Sequence, residues 1–414
     1  MRIFTDKRQS TIESAVNSEK GQDMKNVTRI SLLAAVAIVV LWAAPALAFH
    51  DDGVAHCNGC HTMHNSQNGV AMNFNAAGDG PGTAPGVGYN DLLLFANKTD
   101  VCLNCHDGGG TYHVWSADPL APGSWNRGGG DFVFLEEDNI NDAHAGASNP
   151  IAGHASGHSV VSAMKSTVAD PVLSAAPGGS YPSADLACTS CHDPHGTAAF
   201  RLTYQAGQMT QSDTGHMITW DATMVGAAIG FFGGPGSGEE SPTNHNAYTS
   251  GYSEWCANCH GDFHAASGNL IHPSGELLDP VQVAVYNSYN GTTDCVTTPP
   301  AGGSPCGTGA FATAYLFSVP IEDSTITTTN HVMGASSATS KVACVSCHRA
   351  HASSATDAGR WDFNITGMAE DGHESSSFDM SVALPAGYND GFQRSLCNKC
   401  HSRDEFDALI DFTP

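Results

Sequence analysis

Apolar and polar positions alternate with little order along most of this chain, and one long apolar run stands out, Ile30 to Trp42 within "MKNVTRISLLAAVAIVVLWAAPALA". Lys25 and Arg29 precede the run and Ala46-Leu47-Ala48 closes it. A charged segment, an apolar segment and a small-residue cleavage site in that order make a secretory signal peptide. Thirteen mostly apolar residues fall short of the roughly 20 that a membrane-spanning helix needs, and the chain turns polar at Asp51, so a retained anchor is the weaker reading. Residues 24–48 are therefore expected to send the chain through the Sec pathway to the periplasm. No cysteine follows the small residues, which argues against a lipid-anchored terminus. Residues 1–23 resemble no leader, as expected of a mis-assigned upstream extension.

Beyond residue 48 no window of helical length repeats apolar residues at three- and four-residue spacing, and no run alternates as a half-buried strand would. The 45 Gly and 20 Pro are spread through stretches such as "AAGDGPGTAPGVG" and "GFFGGPGSGEESP". Length alone would suggest two or three ordinary domains. Without a periodic apolar face, the prediction is a single unit with few regular secondary structures, mostly coil with short α-helices, whose core comes from something other than packed helices.

The cysteines say what that something is. Cys57-Asn58-Gly59-Cys60-His61 has the spacing of a c-type haem attachment motif, in which two thiols bind the two vinyl groups and the next histidine lies under the iron. The spacing recurs at Cys102, Cys105 and His106; at Cys188, Cys191 and His192; at Cys256, Cys259 and His260; at Cys344, Cys347 and His348; and at Cys397, Cys400 and His401. Zinc ribbons also use C-x-x-C pairs but need no histidine directly after each second cysteine. Six covalently bound haems c are expected, and the porphyrins then form the core around which the chain wraps. The two other cysteines, Cys295 and Cys306, bracket "VTTPPAGGSP" and are expected to form a disulfide closing a short loop.

Charge narrows the partners. Residues 49–414 carry 10 Lys and Arg against 37 Asp and Glu, a formal charge of −27. Binding to nucleic acid or anionic lipid needs clustered basic residues, so neither is expected.

Aligning the histidines reveals a repeat. "GHSVV", "LACTSCHDPHG" and "EWCANCH" parallel "NHVMG", "VACVSCHRAHA" and "SLCNKCH", and the opening "FHDDGVAHCNGCHTMHN" with "DVCLNCH" is a third copy. Each copy reads upstream His, C-x-x-C-H-x-x-H, then a second C-x-x-C-H, over about residues 49–143, 144–270 and 271–414. His64, His195 and His351 thus share one offset, three residues past a proximal histidine. On a helical turn, residues three apart lie side by side, roughly 5–6 Å between Cβ atoms. Axial ligands of one iron sit on opposite faces of the porphyrin, so these three are expected to serve a different haem from their neighbour's. His50, His158 and His331 upstream complete a set of six distal candidates, with His113 and His272 as substitutes. His56, His144, His154, His216, His245, His264 and His373 are expected to be solvent-facing or supporting groups. Methionine remains an alternative sixth ligand, although no Met recurs at a fixed offset. An iron with both axial positions filled by histidine has no open site and a low potential, so conduction of electrons is expected rather than catalysis, and no catalytic residue is assigned.

The stretches "FHDDGVAHCNGCHTMHNS", "CLNCH", "PGGSYPSADLACTSCHDPHG", "SEWCANCH", "VACVSCHRAHAS" and "FQRSLCNKCH" closely resemble the hexahaem outer-surface c-type cytochromes of metal-reducing bacteria, the nanowire cytochromes. The likeness extends to Trp255, Arg349 and "YNSY" at 286–289, while the Cys295–Cys306 loop and His56 depart from the family pattern. The resemblance implies a mostly coil subunit that joins identical subunits head to tail in an extracellular filament. It implies upstream periplasmic or outer-membrane cytochromes as donors, and metal oxides, electrodes or partner cells as acceptors. If each C-x-x-C-H-x-x-H histidine reaches back to the preceding copy, His64 has no copy before it, and ligation of a neighbouring subunit's His348 haem would close the gap. A soluble periplasmic electron shuttle and a multihaem reductase remain rival readings on sequence alone.

Overall fold

In a computed structural model of the protein, the residues described are 57–74, 92–108, 113–117, 128–136, 152–230, 240–264, 274–289, 310–353, 355–360, 394–397 and 399–400. Residues 1–56, with the expected leader at 24–48, therefore lie outside them. Among the described residues the helices are short: Lys98–His106, Cys188–Cys191, Tyr252–Cys256, Pro280–Ser288, Cys344–Cys347 and Arg394–Cys397. Five of these six begin, contain or end at a C-x-x-C-H motif, and the first motif opens on a 3-10 turn, Cys57–Gly59. The exception, Pro280–Ser288, has Pro at its first position and Asp279 as cap, which accepts from the Val281 and Gln282 amides while Gln282 reaches back to the Asp279 amide.

Among the described residues five pairs of strands are hydrogen-bonded, two of them in isolated hairpins: β1 (Ser66–Gln67) with β2 (Val70–Ala71), and β3 (Met209–Gln211) with β4 (Met217–Thr219). A four-stranded sheet runs in the order β5 (Val225–Ile229), β6 (His245–Ser250), β7 (Glu322–Asp323) and β8 (Ser340–Lys341). β6 and β7 are parallel, with Tyr248 opposite Glu322, and the other two neighbours are antiparallel. This sheet joins the second sequence copy to the third. It is an element that the apolar pattern did not predict, because β6 reads "HNAYTS" and is buried at its polar as well as its apolar positions.

The apolar side chains collect in three clusters that lie against the motifs. Leu103 of the second motif packs with Trp115, Val160 and the turn Phe132–Leu135. Trp220 and Trp255 stack at 4.2 Å beside Cys191, Cys256 and Cys259. Tyr286, Tyr315 and Phe317 pack beside Cys400. Burying such rings stabilises by about 25 cal/mol per Å2, yet no cluster spans the molecule. The apolar contacts are distributed along the motifs, as expected of a mostly coil chain wrapped around prosthetic groups.

Candidate haem centres

Local sequence sets the third and fifth motifs each on a single turn. In "ACTSCH" and "ACVSCH" the serine at the third helical position turns back, so Ser190 accepts from the Ala187 amide at 3.0 Å and Ser346 from the Ala343 amide at 3.1 Å. The turn then stops at the second cysteine. His192 (φ −110, ψ 136) and His348 (φ −113, ψ 155) are extended. This corrects the expectation that one helix carries both histidines of C-x-x-C-H-x-x-H. The proximal residue leaves the helix to pair as an isolated bridge, His61 with Leu93, His192 with Thr203 and His348 with Gly359. The second histidine lies beyond that bridge, on a different course from its neighbour.

The extended backbone has a chemical consequence. His192 Nδ1 donates to the Arg201 carbonyl and His348 Nδ1 to the Asp357 carbonyl, both at 2.8 Å and both nine residues on. His260 Nδ1 donates to Pro177 O at 2.8 Å and His158 Nδ1 to Ala350 O at 2.7 Å. A carbonyl only accepts, so Nδ1 carries the proton and Nε2 keeps its lone pair for a metal. The same left-handed device precedes each bridge: Leu92 (φ 57), Leu202 (φ 60) and Ala358 (φ 53), with Arg201 (φ 56) and Asp357 (φ 58) themselves left-handed. Non-glycine residues in this region cost about 1 kcal/mol or more. In the second and third copies these residues turn the accepting carbonyls of Arg201 and Asp357 toward the imidazoles.

Imidazoles face one another in three pairs, two of them across copies. His61 and His195 lie with ring centroids 6.4 Å apart and planes 6° from parallel, His192 and His351 at 6.4 Å, and His158 and His260 at 5.9 Å. A metal ion held between two imidazoles by bonds of about 2 Å would set their ring centres roughly 6 Å apart. These pairs therefore fit one iron between each. His195 thus lies against His61 of the first copy and His351 against His192 of the second, while His158 lies against His260 of its own copy.

The thiols form a line in sequence order. Cys60 neighbours Cys102 and Cys105, Cys102 neighbours Cys188, Cys191 neighbours Cys259, Cys256 neighbours Cys344, and Cys347 neighbours Cys397 and Cys400. Among the described residues none of the twelve forms a disulfide. Burial pushes Cys191, Cys347 and Cys400 up to about 12 and Cys259 up to about 11, a setting that suits the uncharged sulfur of a thioether. Burial likewise pushes His351 down to about 3 and His260 down to about 4, which keeps both imidazoles neutral.

Positions around the motifs hold them in place. A Cβ on Gly179 would overlap the Cys259 carbonyl, so only glycine lets the loop carry Pro177 O to His260. Phe132 stacks on His351 at 4.5 Å. Arg349 pairs with the buried Glu240 at 2.7 Å, and Arg360 lies 3.6 Å from the same carboxylate. Lys399, inside the sixth motif, donates to the carbonyls of Tyr286 and Tyr289. Trp255 Nε1 donates to Tyr204 O at 2.9 Å. Trp255, Arg349 and the tyrosines of "YNSY" thus brace the fourth, fifth and sixth motifs.

The remaining sequence candidates separate. His64 is exposed and faces no other imidazole among the described residues. His106 ends the helix Lys98–His106, and the buried His113 lies in the segment whose Val114 amide donates back to His106 O at 2.9 Å. His331 lies 3.3 Å from His245, a residue whose supporting place no repeat in the sequence signalled. His50, His272, His401, Cys295 and Cys306 lie outside the described residues, as do His56, His144 and His373.

No family model matches the chain. It is 32% identical over 455 aligned residues to the C-type cytochrome OmcS of Geobacter sulfurreducens, an alignment covering 92% of this chain and 100% of that protein. Its structure resembles that of the outer membrane cytochrome S filament from Geobacter sulfurreducens, with a TM-score of 0.64 and 29% identity over 85% of this chain and 99% of that one. A cryo-EM structure of OmcS nanowires from the same organism gives a TM-score of 0.62 and 28% identity, covering 84% and 98%.

Proposed function

The chain belongs to the OmcS family of c-type cytochromes, and on that premise we propose that it conducts electrons outward through an extracellular filament of its own subunits. Covalently bound haem c supplies the electron relay when present, six groups per chain on the six motifs. The chain's own residues do the rest: they hold the groups by paired thiols, fill both axial positions with histidine and set the groups in motif order.

The facing pairs His61–His195 and His192–His351 carry this reading. A ligand taken from the next copy ties each first-motif centre to its successor and keeps adjacent centres close. The third pair, His260 with His158, gives the rule for second motifs. Extended through the repeat, the same register matches His106 with His50 and His401 with His331. It matches His348 with His64 of the neighbouring subunit, so the subunit contact is head to tail and includes a coordinate bond. His113 and His272 are then not needed as ligands. Two histidines on every iron leave no coordination site for a substrate, which makes this an electron-transfer protein rather than a reductase. Donors are periplasmic or outer-membrane cytochromes, and acceptors are metal oxides or electrodes outside the cell.

His64→Ala tests the scheme. The expected product is secreted, folded subunits with one haem altered in ligation, and no filaments by negative-stain microscopy. Normal filaments with six low-spin haems would refute the inter-subunit ligand. A haem assay that returns fewer than six groups per wild-type chain would refute the count.

A further inference from the structure

His245 is wholly buried at the start of β6, opposite Ile229 of β5. Its Nδ1 lies 2.8 Å from the Ser241 carbonyl, its ring packs at 5.0 Å from Tyr315, and its Nε2 lies 3.3 Å from His331 Nδ1. The Ser241 carbonyl can only accept, so His245 carries its proton on Nδ1 and presents a lone pair at Nε2. His331 must then donate from Nδ1, and its own Nε2 is left with a free lone pair. We propose that His245 is a positioning residue that holds His331 in the ligating tautomer and sets the potential of the iron His331 serves. The proposal rests on the reading of His331 as an axial ligand.

Comparison within the molecule sharpens it. His158, the counterpart of His331 in the second copy, donates from Nδ1 to a backbone carbonyl, as do His192, His260 and His348. In the third copy an imidazole nitrogen takes the carbonyl's place. That nitrogen is the more basic acceptor, so it draws the Nδ1 proton more strongly and leaves more electron density on the ligating nitrogen. A more basic ligand favours the ferric over the ferrous iron. This centre is therefore biased to a lower potential than one whose ligand rests on a carbonyl.

The experiment uses the haem-loaded protein and three variants. His245→Phe keeps a ring against Tyr315 and removes the acceptor, whereas His245→Gln returns a carbonyl-type acceptor. His331→Ala tests the ligand itself. Spectroelectrochemical titration with electron paramagnetic resonance reads each variant. His245→Phe should weaken the ferric preference of one haem about tenfold, an upward shift of about 59 mV for one electron, and move one low-spin signal while the other haems keep theirs. His245→Gln should shift the same haem less. If His331→Ala alters the ligation of one haem while His245→Phe and His245→Gln leave every potential and signal unchanged, the role of His245 is wrong and the ligand reading stands. If His331→Ala leaves all haems low-spin with unchanged signals, the ligand reading fails and the proposal falls with it. Should His245→Phe not fold, the partial shift in His245→Gln decides the matter alone, because it changes the acceptor without emptying the site.

Discussion

Replacing His195 and His351 by Ala, separately, probes the copy-to-copy ligation most directly. Both removals should turn one haem in six from low-spin to high-spin, about one sixth of the total signal by paramagnetic resonance or visible absorption. Their effects on stability should differ. The His195 side chain is 80% exposed in the polypeptide, so its loss strips little protein packing. The His351 ring lies against the buried Phe132 at 4.5 Å, among residues that also hold the His158 amide to the His351 carbonyl at 2.9 Å. Truncating this half-buried ring costs about 2 kcal/mol in lost packing beyond any lost coordinate bond. For a chain of this size that lowers the melting temperature by roughly 4 °C.

The assignment of irons can be read from double variants. His61→Ala with His195→Ala should still disturb one haem, because both residues flank the same iron, whereas His106→Ala with His195→Ala should disturb two. Two altered haems in the first combination would show that His61 and His195 do not share an iron, despite the 6.4 Å between their rings.

Acid should destabilise the protein from about pH 6.5 downward: His351 at about 3 and His260 at about 4 bind fewer protons folded than unfolded, where an imidazole titrates near 6.5. Stability then rises with pH across that window, and a denaturant midpoint equal at pH 5 and pH 7 would contradict it. Glu240→Ala removes the carboxylate shared by two buried guanidiniums, Arg349 and Arg360, and should cost about 3 kcal/mol in thermal melts, since Arg360 keeps its bonds to Val345 O, Phe317 O and Tyr248 OH; a loss under about 1 kcal/mol would mean the cluster is solvated. Gly179→Ala should disturb haem loading or ligation at the fourth motif, where its Cβ meets the Cys259 carbonyl, while Gly261→Ala, with its nearest neighbour 4.0 Å away, should not. Equal spectra from both glycine variants would remove the close approach from the account.

The covalent chemistry was legible because it is local. Two cysteines and a histidine at fixed spacing need no tertiary information, and the offset shared by His64, His195 and His351 pointed to exchange between copies before any coordinates. The route of that exchange was not legible. An i, i+3 pair invites a helix, but His192 and His348 leave the helix to form bridges with Thr203 and Gly359, partners fixed by the turns that follow. Those turns are left-handed at Arg201, Leu202, Asp357 and Ala358, and no glycine or asparagine marks them in the sequence. The sheet was hidden for a related reason. β6 pairs in parallel with β7 through Tyr248 and Glu322, a contact between residues far apart in a chain without alternating pattern. His245 could not be found by repeat, since no other copy has a histidine at its offset.

Ligation out of step with the covalent repeat also bears on why such a chain polymerises. Were each copy to complete its own two centres, three copies would make a closed string of independent units, and any contact between subunits would have to be built separately on the surface. When the distal histidine of each first motif comes from the following copy, every copy but the last is completed within the chain. One histidine at the start and one iron near the end are then complementary by construction. Such a contact uses different surfaces on its two sides, and unless its rotation closes a ring it propagates as an open helix. The 6.4 Å separation of His61 from His195 recurs between His192 and His351 inside the chain, although the ring planes differ, at 6° and 59°. On the proposed scheme the subunit junction is the third occurrence of the same step, so the spacing of centres need not change where one chain ends and the next begins.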